Sequence, residues 1–163
     1  MTLLDTLKAR LRESEGVRPQ MYLCPAGKRT VGVGFNLERD DARDLCDRLG
    51  IDYDAVLAGA PLSPSKIEDL LDVTARQSIT QAAGLDCRWT ALPVAVQAIL
   101  ADLVFNMGPG KVREFRRFLA AVRECDWEAA AHHLADSKWY HQVGDRSRRI
   151  VAELAQLALE GRT

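Results

Sequence analysis

The first residues of the chain carry apolar side chains at intervals of three and four, which is the period of an amphipathic α-helix. The apolar positions are Leu3, Leu4, Leu7 and Leu11. Gly16 ends the pattern, because glycine commonly terminates helices. The pattern therefore predicts a helix over residues 3–14, with Glu15 at its C-terminal end.

From Gln20 to Leu37 the helical spacing is replaced by residues that favour strands. These residues are Met21, Tyr22, Thr30, Val31 and Val33. Pro25 and Gly27 lie between the two groups and are typical of a turn. The segment is predicted to form a small β-hairpin.

The helical pattern returns after Asp40, where residues 40–49 predict a short acidic helix. Ser63 and Pro64 are typical of a helix start, with serine as the cap and proline in the first position. The apolar pattern then continues to Gly84, and a helix of about 20 residues is long enough to join two lobes. Further helical segments are predicted at 94–105, 112–123, 127–134 and 150–159.

These elements predict one domain with an α+β fold that is mostly α. Residues 1–62 form a lobe with the β-hairpin, residues 63–84 form the connecting helix, and residues 85–163 form a helical bundle. A chain of 163 residues, 47% of them hydrophobic, can bury a core without disulfides or metals.

Composition and charge indicate no particular binding partner. The chain has 22 Lys+Arg against 23 Asp+Glu, without the basic bias usual in nucleic-acid-binding proteins. Its cysteines are spread singly, with no C-x-x-C pair and no histidine at zinc-finger spacing, so we expect thiols. They are Cys24, Cys46, Cys87 and Cys125.

No apolar run approaches the roughly 20 residues of a membrane span, so no stable membrane insertion is expected. The first residues carry charges where the apolar region of a signal peptide would lie. We therefore expect no signal peptide and a protein that folds in the cytosol.

The segment with the most chemistry contains Glu15, Cys24 and Thr30, separated by eight and five residues. The chain resembles the phage-type lysozymes, endolysins of glycoside hydrolase family 24, whose catalytic signature is Glu-x8-Asp/Cys-x5-Thr. The resemblance covers nearly the whole chain. Further pieces in the same order are ADLVFNMG over 101–108, WEAA over 127–130 and SKWY over 137–140.

The resemblance implies a two-lobed lysozyme-like fold and a muramidase, a glycoside hydrolase that cleaves the β-1,4 bond between N-acetylmuramic acid and N-acetylglucosamine. It implies that peptidoglycan strands are the partner, that the protein is a monomer, and that no metal or cofactor takes part. It also implies accumulation in the cytoplasm of a bacterial host, followed by release to the wall by a holin-like, membrane-permeabilising protein.

The family assigns roles to individual positions. Glu15 would be the general acid, Cys24 and Thr30 would manage the attacking water, and hydrolysis would invert the anomeric centre. Arg146 would be placed near Glu15 as a supporting residue. The substrate-facing positions would be Asn36, Phe105, Phe118 and His133.

Several alternatives remain open from the residues alone. A lytic transglycosylase would use Glu15 without an attacking water, and a Cys–His pair would make a thiol hydrolase. The chain could also be a non-catalytic module that binds peptidoglycan, or binds DNA through the basic segment 113–123. Cys24 is either a small apolar filler of the turn or a thiolate whose pKa is lowered by Lys28 or Arg29.

Overall fold

The computed structural model describes residues 1–85 and 88–162. Within them the fold is α+β and mostly α, as predicted. The chain divides into two compact units, Met1–Gln77 and Ser78–Thr163. Cys24, Cys46 and Cys125 are thiols, as expected, whereas Cys87 lies outside the described residues.

Unit 1 begins with helix α1, Leu3–Glu15. Thr2 and Asp5 form a capping box at its start, in which each side chain accepts a hydrogen bond from the other residue's backbone N–H. Gly16 has a φ of 73° and ends the helix, since this conformation is accessible to glycine without strain. Glu15 is therefore held as the last helical residue, as the sequence predicted.

The predicted hairpin is part of a three-stranded antiparallel sheet with the order β1-β2-β3. The strands are β1 (Arg18–Leu23), β2 (Arg29–Gly32) and β3 (Phe35–Asn36). Gly32 and Gly34 have φ values of 66° and 65°, and this tight turn brings the chain back as the additional short strand. Thr30 is aligned with Tyr22 on one side and with Asn36 on the other.

The remainder of unit 1 is helical: α2 spans Ala42–Arg48, α3 spans Tyr53–Leu57, and the long helix α4 spans Pro64–Ala83. The Ser63 hydroxyl accepts a hydrogen bond from the Lys66 backbone N–H at 3.3 Å, which confirms the predicted start of α4. The division between the two units falls inside α4. Helix α3 was not predicted, because five residues are too few to show a helical period.

Unit 2 is built from helices around α5 (Val94–Met107), most of which is buried. The others are α6 (Pro109–Glu114), α7 (Arg116–Arg123), α8 (Trp127–Ala135), α9 (Lys138–Val143) and α10 (Asp145–Glu160), preceded by a 3-10 turn at Trp89–Ala91. The single helix predicted for 112–123 is wrong, because Phe115, with a ψ of 60°, separates α6 from α7. In the part of the chain described, no helix is both long and apolar enough to cross a lipid bilayer.

Candidate active site

Glu15 lies against the backbone of the turn between β2 and β3. A Cβ atom placed on Gly34 would lie 2.8 Å from Cγ, 2.9 Å from Cδ and 3.1 Å from Oε2 of Glu15. Real Cβ atoms essentially never approach side-chain carbons this closely. Only glycine at position 34 therefore lets the sheet pack directly on the half-buried Glu15 side chain.

Cys24 opens the turn between β1 and β2. Its backbone N–H donates to the Lys28 carbonyl at 2.9 Å, and its carbonyl accepts from the Gly27 N–H at 2.8 Å, so the turn is closed on both sides. Burial raises the pKa of the Cys24 thiol, but hydrogen bonds from the backbone at Lys28 and Ala26 and from Thr30 outweigh it, so the pKa lies below its ordinary value. Hydrogen bonds, rather than the charges of Lys28 or Arg29, are the main cause of the lowering.

Thr30 is buried on β2, beside Cys24. Its hydroxyl donates to the Lys28 carbonyl at 2.9 Å and also forms a hydrogen bond with the Cys24 side chain. A threonine hydroxyl has one proton to donate, so Lys28 and an ionised Cys24 compete for it. The hydroxyl is thus a donor that can respond to the charge on the thiol.

Tyr22 also belongs to this site, although the sequence analysis recognised it only as a strand former. Burial and the negative charges of Glu15 and Cys24 raise the pKa of the Tyr22 phenol, against an opposing effect of Arg18. The Arg18 guanidinium lies 4.6 Å from the centre of the Tyr22 ring. The signal in the sequence was the spacing of two residues between Tyr22 and Cys24, which puts both on one side of an extended chain.

Asn36 is the one predicted substrate-facing position that lies in unit 1. It lies on β3, directly aligned with Thr30, and its amide oxygen accepts a hydrogen bond from the Glu38 backbone N–H at 2.8 Å. The α1 terminus and the small sheet thus hold four predicted residues within one unit. They are Glu15, Cys24, Thr30 and Asn36.

The other predicted substrate-facing positions lie in unit 2. Phe105 is half-buried near the end of α5, whereas Phe118 is 1% exposed and belongs to the core. Phe118 and His133 both line one surface depression of about 310 Å³. Its remaining lining residues are Glu114, Phe115, Arg116, Arg117 and Asp136.

Arg146 lies in unit 2 at the start of α10, where it pairs with Asp102 on α5. Its Nε and Nη2 atoms donate to Oδ1 of Asp102 at 3.0 and 2.6 Å, and the Asp102 side chain is fully buried. The sequence analysis did not identify Asp102. Its signal was a single carboxylate within an apolar helix, which is rarely buried without a partner. The placement of Arg146 near Glu15 stays a prediction.

The described residues also bear on two other kinds of site, a metal centre and a Cys–His pair. No three His, Cys, Asp or Glu side chains among residues 1–85 and 88–162 cluster in a way that could hold a metal ion. The three histidines, at positions 132, 133 and 141, are all in unit 2, whereas Cys24 is in unit 1. Unit 1 therefore offers no histidine as a base for a Cys–His pair.

Known proteins match this chain over most of its length. Residues 12–154 match the profile of the family described as phage lysozyme. The probable T4-type lysozyme 2 of Dictyostelium discoideum is 28% identical over 159 residues, which cover 92% of this chain and 94% of that protein.

A second relative is much longer than this chain. The pre-baseplate central spike protein Gp5 of Enterobacteria phage T4 is 29% identical over 150 residues. The match covers 86% of this chain but only 26% of the spike protein, so the chain spans about a quarter of that relative's length. The peptidoglycan hydrolase gp36 of Pseudomonas phage phiKMV is 36% identical over 56 residues, or 34% of this chain and 6% of that protein.

Proposed function

The chain belongs to the phage lysozyme family, and we propose that it is a peptidoglycan hydrolase that cleaves the β-1,4 bond between N-acetylmuramic acid and N-acetylglucosamine. The observation that carries the proposal is the packing of Glu15 on Gly34, in the same unit as the hydrogen-bonded Cys24 and Thr30. An inverting glycosidase needs a carboxylic acid and, on the opposite face of the sugar ring, a general base that activates water. We assign the acid to Glu15 and the activation of water to Cys24 with Thr30.

In this proposal Glu15 is the general acid. Its carboxyl proton passes to the glycosidic oxygen as the bond to the anomeric carbon breaks, leaving a carboxylate. The tight contact with Gly34 limits the positions that the carboxyl group can adopt, which keeps it oriented before substrate binds.

Cys24 and Thr30 would activate and orient the attacking water. The hydrogen bonds that lower the pKa of the thiol increase its thiolate fraction near neutral pH, and a thiolate can accept a proton from water. The Thr30 hydroxyl can donate to or accept from the same water. These contacts favour a working thiolate over an apolar filler of the turn.

The biological setting is also a proposal, based on the family resemblance. The protein would act as a monomer on peptidoglycan strands, without metal or cofactor, and would accumulate in the host cytoplasm. A separate holin-like protein would then release it to the wall. Light scattering would test the monomer, and lysis with and without a co-expressed membrane-permeabilising protein would test the release.

The direct test is Glu15→Gln, assayed by the clearing of chloroform-treated Gram-negative cells. The amide has nearly the same shape but cannot donate the proton, so the rate should fall by about 100-fold or more while the fold is kept. Glu13→Gln is the matched control, because it makes the same change on an exposed position of the same helix. A Glu15→Gln rate above a tenth of wild type would remove Glu15 from the mechanism.

Mass spectrometry of the released muropeptides distinguishes hydrolysis from transglycosylation. Attack by water leaves a reducing end, whereas attack by the sugar's own hydroxyl leaves a 1,6-anhydro end. We expect reducing muramic acid ends from the wild type. Anhydro products would show that the enzyme is a lytic transglycosylase and not a hydrolase. Reducing glucosamine ends would show that it cleaves a different bond from the one proposed.

A further inference from the structure

The peptide group between Lys28 and Arg29 is hydrogen-bonded at both ends. Its carbonyl, that of Lys28, accepts from the Thr30 hydroxyl at 2.9 Å and from the Cys24 backbone N–H at 2.9 Å. Its N–H, that of Arg29, donates to Oε2 of Glu38 at 2.7 Å. Because a peptide group is planar, its carbonyl and its N–H turn together. The Glu38 carboxylate is therefore linked through one peptide plane to the carbonyl that holds the Thr30 hydroxyl.

The backbone that carries Glu38 is fixed to the same sheet. The Glu38 backbone N–H donates to the Asn36 side-chain oxygen at 2.8 Å, and the neighbouring Leu37 N–H donates to the Arg29 carbonyl at 2.8 Å. Asn36 is in turn aligned with Thr30 in the pairing of β2 with β3. Glu38 is thus attached to the strand that carries Thr30 by its backbone as well as by its carboxylate.

The Glu38 side chain carries a negative charge that acts mainly on the backbone. The hydrogen bond from the Arg29 N–H is the chief reason that the pKa of Glu38 lies below its ordinary value, and the positive charges of Arg29 and Lys28 add to it. The Arg29 guanidinium is farther away, with its Nε 3.7 Å from Oε2. Hydrogen bonds in a chain polarise one another, so a carboxylate on the Arg29 N–H makes the Lys28 carbonyl a stronger acceptor.

We propose that Glu38 is a positioning residue for the hydrolysis: through the Lys28–Arg29 peptide group, its carboxylate holds the Thr30 hydroxyl in the orientation that meets the attacking water. The inference rests on the proposed function. With the hydroxyl proton directed to the Lys28 carbonyl, the lone pairs of the Thr30 oxygen can accept from that water. Glu38 itself gains and loses no proton in the cycle.

Side-chain variants distinguish the backbone hydrogen bond from the ion pair. Glu38→Ala removes both, whereas Glu38→Gln keeps a neutral oxygen that can accept from the Arg29 N–H. Arg29→Ala removes the guanidinium and keeps the backbone N–H. Asp52→Ala is the matched control, because Asp52 is also a carboxylate that accepts from a backbone N–H, that of Ala55 at 3.0 Å, but at the start of α3.

The first experiment measures kcat and KM for these variants on peptidoglycan. In Glu38→Ala, kcat and kcat/KM should fall together by about fivefold, since the lost bond acts on the water and not on sugar binding. Glu38→Gln should recover most of the loss. Arg29→Ala and Asp52→Ala should keep the wild-type kcat, even if Asp52→Ala lowers Tm. A wild-type kcat in Glu38→Ala, or an equal loss in Arg29→Ala, would overturn the inference.

The second experiment uses NMR and does not depend on activity or on a variant that folds. In the wild type, the Arg29 amide proton and the Lys28 carbonyl carbon should shift together as the pH falls, with a midpoint below that of an ordinary glutamate. The Ala55 amide is the internal reference for a bond of the same kind. If neither the Arg29 nor the Lys28 signal responds, Glu38 does not act on this peptide group and the inference fails.

The side-chain couplings of Thr30 complete the test. Three-bond couplings report the χ1 rotamer, which should be single in the wild type and in Arg29→Ala and averaged in Glu38→Ala. Unchanged couplings in Glu38→Ala would overturn the inference. A wild type that cleaves no peptidoglycan would instead contradict the proposed function, while the couplings still decide whether Glu38 controls Thr30.

Discussion

Two arginine–aspartate pairs, one in each unit, differ in burial. In unit 1, Arg43 and Asp54 pair at 2.9 Å with both side chains largely exposed. In unit 2, Asp102 is fully buried in the apolar helix α5 and is paired with Arg146.

The difference in burial determines how much each pair contributes to stability. Water solvates the exposed Arg43–Asp54 pair, so this pair contributes little to stability. The buried pair of unit 2 has lost its water, so each partner depends on the other. The proposed site in unit 1 depends instead on backbone shape, because Gly16 and Gly34 use conformations that place Glu15.

The largest effect should come from breaking the buried pair. Asp102→Ala leaves a nearly buried guanidinium without its aspartate, and removing one partner of such a pair costs about 3–5 kcal/mol. We expect a large fall in Tm and in the urea midpoint of unfolding. The measurement is urea unfolding followed by circular dichroism.

Asp54→Ala is the control, since it removes the same side chain from an exposed pair with Arg43. Its unfolding midpoint should stay close to that of the wild type. Equal losses from Asp102→Ala and Asp54→Ala would show that burial does not distinguish the two pairs.

A smaller effect is expected from Gly34→Ala, which tests the shape of the site in unit 1. A non-glycine residue at a φ of 65° is strained by about 1–3 kcal/mol, and the new Cβ would also displace the Glu15 carboxyl group. Both Tm and the rate of peptidoglycan cleavage should therefore fall.

Gly50→Ala distinguishes the effect of backbone strain from the effect of displacing the Glu15 carboxyl group. Gly50 has a φ of 66°, but its nearest neighbour would be Lys66 Nζ at an ordinary contact of 3.6 Å. It should lower Tm to a similar extent and leave the rate unchanged. If both variants keep the wild-type rate, contact with Gly34 does not position Glu15.

The smallest effect concerns the thiol of Cys24. Cys24→Ala should slow cleavage by about tenfold, or about 1.4 kcal/mol of barrier, whereas Cys24→Asp should keep much of the rate. Because its pKa is lowered, the thiol stays ionised to lower pH than an ordinary cysteine. With aspartate, the acidic limb of the rate profile should move to still lower pH, since a carboxyl group ionises at lower pH than a thiol. Wild-type rates in Cys24→Ala would make the thiol structural.

Peptide-resolved alkylation would sharpen the same prediction. Alkylation of Cys24 should continue at lower pH than alkylation of Cys46, because burial raises the pKa of the Cys46 thiol. Thr30→Val removes a hydrogen bond that favours the thiolate, so its Cys24 alkylation profile should move to higher pH. An unchanged Cys24 alkylation profile in Thr30→Val would show that the Thr30 hydroxyl does not hydrogen-bond to the Cys24 thiol.

Local signals predicted most of the elements. Helix α1, its end at Gly16 and the start of α4 after Ser63 were predicted, because capping and termination depend on residues a few positions apart. Elements that leave a short or interrupted pattern were missed. The strand Phe35–Asn36 has two residues, and the break at Phe115 lies within an otherwise continuous helical pattern.

The sequence by itself determined the class of fold, the family and the spacing of Glu15, Cys24 and Thr30, because these depend on order along the chain. Only the tertiary structure decided that Gly34 packs on Glu15, that Tyr22 faces the same site, and that Asp102 pairs with Arg146. The physical reason is that contacts between residues 19 or 44 positions apart depend on how turns and helices pack. Burial then sets the energy of each contact, and burial is a property of the folded chain rather than of any local pattern.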